Sequence, residues 1–266
     1  MRIPQKSDSL LLNFGKTTGL LFLSISIGLL LDSKFIIPFF PNGQLAADII
    51  IILIFIPVFF KATKKVREFL IYAVLIAIAG ECFFSLYLEM YTYRLRNVPI
   101  YVFFGHALLY VSVLYFCKGS HVKFHRKKIE LIFTILVVSY ATVFFIFFND
   151  IFGFILTVLT LLILSRKPRE RLFYLAMYLC VALLEIIGTT YQCWFWPAHA
   201  FRMEDSFLKS ANPPSGISFF YFGLDLGSLY FYKLRHKIAW NRMKNIREMR
   251  KPGCLNVGVS PSKFSS

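Results

Sequence analysis

Long apolar runs separated by short basic clusters recur along this chain, and that alternation decides the solvent in which it can fold. Runs suited to crossing a bilayer lie at 17–31, 46–60, 69–90, 99–117, 129–148, 151–165, 172–196 and 217–232. A soluble core would scatter its charges along amphipathic helices, whereas here they collect between the runs, as repeated membrane crossing requires. Apolar residues make up 57% of the chain and charged residues 17%, a balance well outside that of ordinary soluble domains. The predicted fold is therefore all-α, a polytopic transmembrane helical bundle of about eight spans. The second and sixth runs fall short of the usual ~20 residues, so a tilted or re-entrant arrangement is open for them.

The distribution of cations predicts the orientation. Lys61, Lys64, Lys65 and Arg67 follow the second run, Lys118, Lys123, Arg126, Lys127 and Lys128 the fourth, and Arg166, Lys167, Arg169 and Arg171 the sixth. With eight crossings these clusters share one side with Arg2, Lys6 and the basic tail, and the positive-inside bias makes that side cytoplasmic. The expected location is the cytoplasmic (inner) membrane with both termini inside. The net charge of +16 is read as a match to anionic lipid headgroups, so membrane lipids rather than nucleic acid are the expected partners. The start of the chain reads as an uncleaved first span, because no small-residue cleavage pattern follows Leu31. Cys82, Cys117, Cys180, Cys193 and Cys254 form no CxxC pair, which predicts neither a disulfide framework nor a metal site. No cofactor motif is present: Leu10 stands where a phosphate loop ending in Gly15-Lys16-Thr17 needs glycine.

Two stretches of the chain repeat each other. Arg67 and Arg171 each precede a phenylalanine by two residues and a glutamate, Glu81 or Glu185, by fourteen. Ser85 and Thr189, Tyr87 and Tyr191, a Tyr-x-Tyr and a Trp-x-Trp pair, and Asn97-Val98-Pro99 and Asn212-Pro213-Pro214 follow in the same order. Two parallel four-span halves, 10–118 and 129–234, account for this order. They make up one membrane domain over 1–234, followed by a basic tail over 235–266 whose Gly, Pro and Ser content predicts partial disorder.

A carboxylate in a bilayer costs at least ~2.5 kcal/mol, so it usually faces a bundle interior or a wet cavity. At 1.5 Å per residue, Glu81 and Glu185 lie about 21 Å from the arginine that opens each helix, in the outer half of a ~30 Å core. His106 lies about 10 Å below Pro99, and Asp225 about 13 to 15 Å below Ser215 and Gly216. The four groups are predicted to meet in one outward-facing cavity as acid/base catalytic candidates. Glu89 on the face of Glu81, Thr189, Gln192 and Trp196 on the face of Glu185, and Tyr93 at the entrance are the predicted substrate-binding residues. Each also has a structural reading. The acids and Asp225 can serve as interhelical hydrogen-bonding groups, and His106 can be a satisfied packing residue. Trp194-Phe195-Trp196 and Tyr91-Thr92-Tyr93 fit an interfacial aromatic belt. Gly223 and Gly227 form a small-xxx-small motif that would press Asp225 on a neighbour. His199, Arg202, Glu204 and Asp205 fall in an outer loop that is long enough for a lid.

The run from Glu81 through Tyr91-Thr92-Tyr93 to Val98-Pro99 and into an apolar span resembles bacterial and archaeal carotenoid-hydratase-like polytopic membrane proteins. In that family an acid, an aromatic pair and a Val-Pro stand in similar order; here Phe83-Phe84-Ser85-Leu86 replaces the glycine-rich segment between acid and aromatics. The resemblance implies acid/base chemistry of a lyase or hydratase type on an isoprenoid or other lipophilic substrate. From the residues alone, a small-molecule or lipid transporter and a structural subunit of a membrane assembly are the alternatives.

Overall fold

The computed structural model describes residues 18–202, 207–238 and 240–242. The chain forms α1 (Leu20–Leu31), α2 (Gly43–Lys61), α3 (Lys64–Glu81), α4 (Ile100–Lys118), a short α5 (Ser120–Phe124), α6 (Arg126–Phe148), α7 (Ile151–Ser165), α8 (Arg171–Thr190) and α9 (Ser218–Arg235). The only sheet among the described residues pairs β1 (Thr92–Tyr93) antiparallel with β2 (Trp194–Phe195), Thr92 facing Phe195 and Tyr93 facing Trp194. Five helices are long and apolar enough to cross a membrane: α2, α3 with its continuation to Tyr87, α4, α6 and α8. The molecule is thus an integral membrane protein built as a helical bundle. Helices α1 and α7 are apolar but shorter.

Local chemistry sets where several helices begin and end. The Thr63 hydroxyl accepts from the Val66 amide at 3.4 Å to cap α3, and Asp150 accepts from Gly153 N at 3.1 Å to cap α7. The runs at 69–90 and 172–196 read as unbroken spans, but the helices stop sooner. After α3 the chain passes through a π-helical stretch, Cys82–Tyr87, and Glu89 then adopts φ 47°. Beyond α8, Gln192 adopts φ 57°. A left-handed residue reverses the chain direction at a helix end, so each strand folds back over the bundle instead of extending the helix.

Helix α8 is the most central, with 67% of its apolar window buried, and α6 the most peripheral at 11%. Without a hydrophobic drive between helices in lipid, shape complementarity has to hold them together. Helix α3 packs on α4 and α9, α4 on α8 and α2, and α6 on α7 and α8. The close approach of α3 to α9 uses Gly80, beneath Leu224, and Gly227, beneath Ile76. Gly223 meets nothing within 4 Å, so the expected Gly223/Gly227 motif is replaced by one glycine from each helix.

The basic clusters are tied together at one end. The Arg126 guanidinium donates to the carbonyls of Pro168 and Arg169 at 2.8 and 2.9 Å, while Glu68 binds Arg235 at 3.2 Å and His236 at 2.8 Å. At the other end, buried aspartates tie together segments that are distant in the chain. Asp32 binds Arg94 and accepts from the Tyr101 hydroxyl at 2.8 Å, and Asp48 accepts from Tyr101 N at 2.7 Å. Asp150 accepts from the amides of Ala211 and Ser215 at 3.1 and 2.7 Å. Glu204, Asp205, Arg2, Lys6, Cys254 and most of the tail lie outside the described residues.

Candidate functional site

Folding the strands back carries the aromatic pairs inward. The hydroxyls of Tyr91 and Tyr93 donate to Glu81 Oε2 at 2.5 and 2.9 Å. The indole nitrogens of Trp194 and Trp196 donate to Glu185 Oε2 at 2.8 and 3.1 Å, and the Tyr221 hydroxyl donates to Oε1 at 3.3 Å. Tyr93, Trp194 and Trp196 are buried. The interfacial-belt reading of these aromatics is therefore corrected: their polar atoms are bound to buried carboxylates, which reward a donor more than an interface does. Burial, followed by the proximity of Glu81, pushes the Tyr91 and Tyr93 phenols well above their usual range, so both remain donors toward the acid.

Between these groups lies a cavity of about 70 Å³ lined by Glu81, Glu185, His106 and the aromatic pairs, with apolar walls such as Leu29 and Leu109. It has room for a few waters or a short stretch of hydrocarbon. Tyr91 lies against Trp196 with ring centroids 4.5 Å apart, and Tyr93 meets Trp194 edge to face at 6.0 Å. The aromatic roof is thus shared by both acids.

His106 sits beside Tyr221, ring centroids 5.2 Å apart, and its Nε2 is 3.5 Å from Asp225 Oδ1. Their side chains are 3% and 1% exposed. At that separation the pair is in ion-pair range but outside good hydrogen-bonding geometry, and neither residue's polar atoms have a hydrogen-bond partner among the described residues. Of the two, His106 lines the cavity, so its ring is the one positioned to hydrogen-bond an occupant.

Glu81, Glu185 and His106, from α3, α8 and α4, thus line one space together with Tyr93 and Trp196, and Asp225 stands behind His106. Thr189 and Gln192 instead border a separate outer basin, and Glu89 lies on an exposed depression. The helical spacing that put Glu89 and Gln192 beside the acids fails where each helix ends, at the π-helical stretch and at Thr190; Thr189 keeps its place one turn after Glu185, but its hydroxyl donates to the Glu185 carbonyl at 2.7 Å. Tyr91, Trp194 and Tyr221 complete the site without having been singled out for it. Tyr221 follows Pro214 by the same seven residues that separate His106 from Pro99, a signal available in the sequence.

Comparison of the chain with protein-family models, curated proteins and solved structures finds no match. The reading of the site rests on its geometry.

Gly188 provides space for this arrangement, because a Cβ there would run into the ring of Trp194. Gly188→Ala is expected to displace the indole from Glu185 and destabilise the protein by about 1 to 3 kcal/mol, the usual effect of overpacking. Thermal unfolding in detergent, together with a shift in tryptophan emission, measures this; an unchanged melting temperature and spectrum would refute the proposed wedge.

Proposed function

We propose that this protein is a membrane-embedded enzyme that acts on a lipophilic substrate by proton transfer, with Glu81 and Glu185 as the acid and base. The supporting observation is that two buried carboxylates from different helices face one cavity whose other walls, His106 apart, are apolar and aromatic. A carboxyl group in such surroundings can protonate a double bond or activate water without a metal, and aromatic faces stabilise positive charge that develops on hydrocarbon. The partners of the acids differ in kind. A phenol can accept as well as donate, whereas an indole N–H only donates. This favours Glu81, held by two phenols, as the proton-exchanging acid, and Glu185, held by two indoles and a phenol, as the acceptor. His106 and Asp225 adjust the charge at the inner end.

The same reading takes the five long helices together with α1, α7 and α9 as eight spans in two parallel four-helix halves, with the basic end and both termini in the cytoplasm of an inner-membrane protein. Its support lies in the matched partners: an acid on α3 takes two donors from the strand that follows, and an acid on α8 does the same. Asp48 and Asp150 likewise each hold backbone N–H groups near the start of the last helix of a half.

The test is lipid mass spectrometry on membranes containing either the wild-type protein or the double variant Glu81→Gln/Glu185→Gln, supplied with unsaturated isoprenoids and fatty acyl lipids. A product dependent on the wild-type acids supports the enzyme. Movement of an unaltered compound across sealed vesicles would assign the cavity to a carrier, and no difference in either assay, with lower stability alone, would leave the acids a structural role.

A further inference from the structure

Outside the strand pair lies a second hollow of about 710 Å³, bordered by Lys34, Arg94, Arg96, Gln192 and Asn212. Tyr93 and Trp194 line both this basin and the cavity beneath it, so a single antiparallel pair of residues separates the two spaces. The basin's border carries three cations and no carboxylate. Arg94 is fixed by Asp32 below, through both its side-chain and backbone oxygens. Lys34 and Arg96 are exposed and stand in no ion pair among the described residues. Asn212 Oδ1 accepts from Trp196 N at 3.0 Å, which turns its amide nitrogen away from that bond as a further donor. Arg96 also borders an adjoining depression with Ser85 and Glu89. Like charges gathered round a concavity repel one another and focus a positive potential into it, and a bound anion relieves that repulsion through charge-assisted hydrogen bonds.

We propose that this basin binds the anionic head, a phosphate or carboxylate, of an amphiphile whose apolar chain passes the Tyr93–Trp194 pair and places a short stretch of its length in the cavity between Glu81 and Glu185. The inference rests on the reading of that cavity as the site for a lipophilic chain. It narrows the substrate class from hydrocarbons to single-chain anionic lipids, with the head held at the basin and the chain passing the Tyr93–Trp194 pair. A free anion offers the same chemistry, so the experiment has to separate the two sources.

Full-length protein in phosphatidylcholine nanodiscs is titrated with farnesyl phosphate, farnesol and inorganic phosphate, followed by tryptophan emission, for which Trp194 and Trp196 are reporters inside the site. Farnesyl phosphate is expected to bind about tenfold or more tightly than farnesol, equivalent to ~1.4 kcal/mol, with the advantage shrinking at high salt. The double variant Lys34→Ala/Arg96→Ala should bring the phosphate down to the level of the alcohol; Arg94 is left in place because it anchors Asp32. Equal affinity for phosphate and alcohol, or an advantage that survives in the double variant, overturns the proposal. Inorganic phosphate binding as tightly as farnesyl phosphate overturns the amphiphile and assigns the basin to a soluble anion. Failure of the catalytic reading is distinguishable: the phosphate preference would persist while Glu81→Gln left any lipid conversion untouched.

Discussion

Glu81→Gln is expected to lower turnover of the lipid substrate by about 10²- to 10⁴-fold, the range typical of removing a general acid, while the protein remains folded. Glutamine keeps the shape and one acceptor oxygen for Tyr91 and Tyr93, but it has no proton of useful acidity. Single changes of Tyr91 or Tyr93 to Phe remove one of two hydrogen bonds and are expected to cost about tenfold each. Glu185→Gln should also be severe for turnover, because an amide cannot take up the proton, although its oxygen can keep both indole donors and its nitrogen can donate to the Tyr221 phenol. The variants are compared by steady-state lipid conversion on protein with wild-type gel-filtration and melting behaviour. Retention of near-wild-type turnover in Glu81→Gln would remove Glu81 from the chemistry. Equal losses in Tyr91→Phe and Glu81→Gln would make the phenol, not the carboxyl, the reacting group.

The largest effect on stability is expected at a residue that lines neither the cavity nor the basin. Asp150 is fully buried and accepts from the amides of Gly153, Ala211 and Ser215. Asp150→Ala leaves three buried N–H groups without an acceptor and should destabilise the protein by about 3 to 5 kcal/mol, since each such group costs about 1 to 3 kcal/mol and the effects do not add fully. The damage should reach the site, because the segment it holds carries Asn212, whose side chain fixes the Trp196 backbone. Asp150→Asn keeps one acceptor oxygen and should lose roughly half as much. Denaturant titration in detergent, with tryptophan emission as the local readout, distinguishes the two. A small loss in Asp150→Ala would mean that the 211–215 segment is held by other contacts, among which the Tyr178 hydroxyl bound to the Ser215 carbonyl at 2.7 Å is the first to examine.

The convergence of Glu81, Glu185 and His106 was legible from counting rise per residue along apolar runs, because depth in a membrane is set by helix length alone. Facing direction was not. Glu89 shares a helical face with Glu81 only if the helix continues, and the π-helical stretch followed by a left-handed residue ends it; glycine, the usual mark of such a reversal, is absent at both positions. The aspartates that brace the end opposite the basic clusters were also silent, since Asp32, Asp48 and Asp150 sit at the edges of apolar runs, where a loop residue in water has the same appearance. Their partners, the Tyr101 hydroxyl for Asp32 and backbone N–H groups for Asp48 and Asp150, lie tens of residues away.

The lipid solvent, the helical class and the presence of acids within apolar runs follow from composition and from distance along single chain segments. Packing between distant segments is what turns the Tyr-x-Tyr and Trp-x-Trp pairs inward to hold those acids, sets His106 against Asp225, and brings Lys34, Arg94 and Arg96 to the border of a basin across the same roof. Such outcomes depend on where the chain reverses after α3 and α8 and on which helix lies opposite, and the free energy for both comes from contacts between residues far apart in the chain.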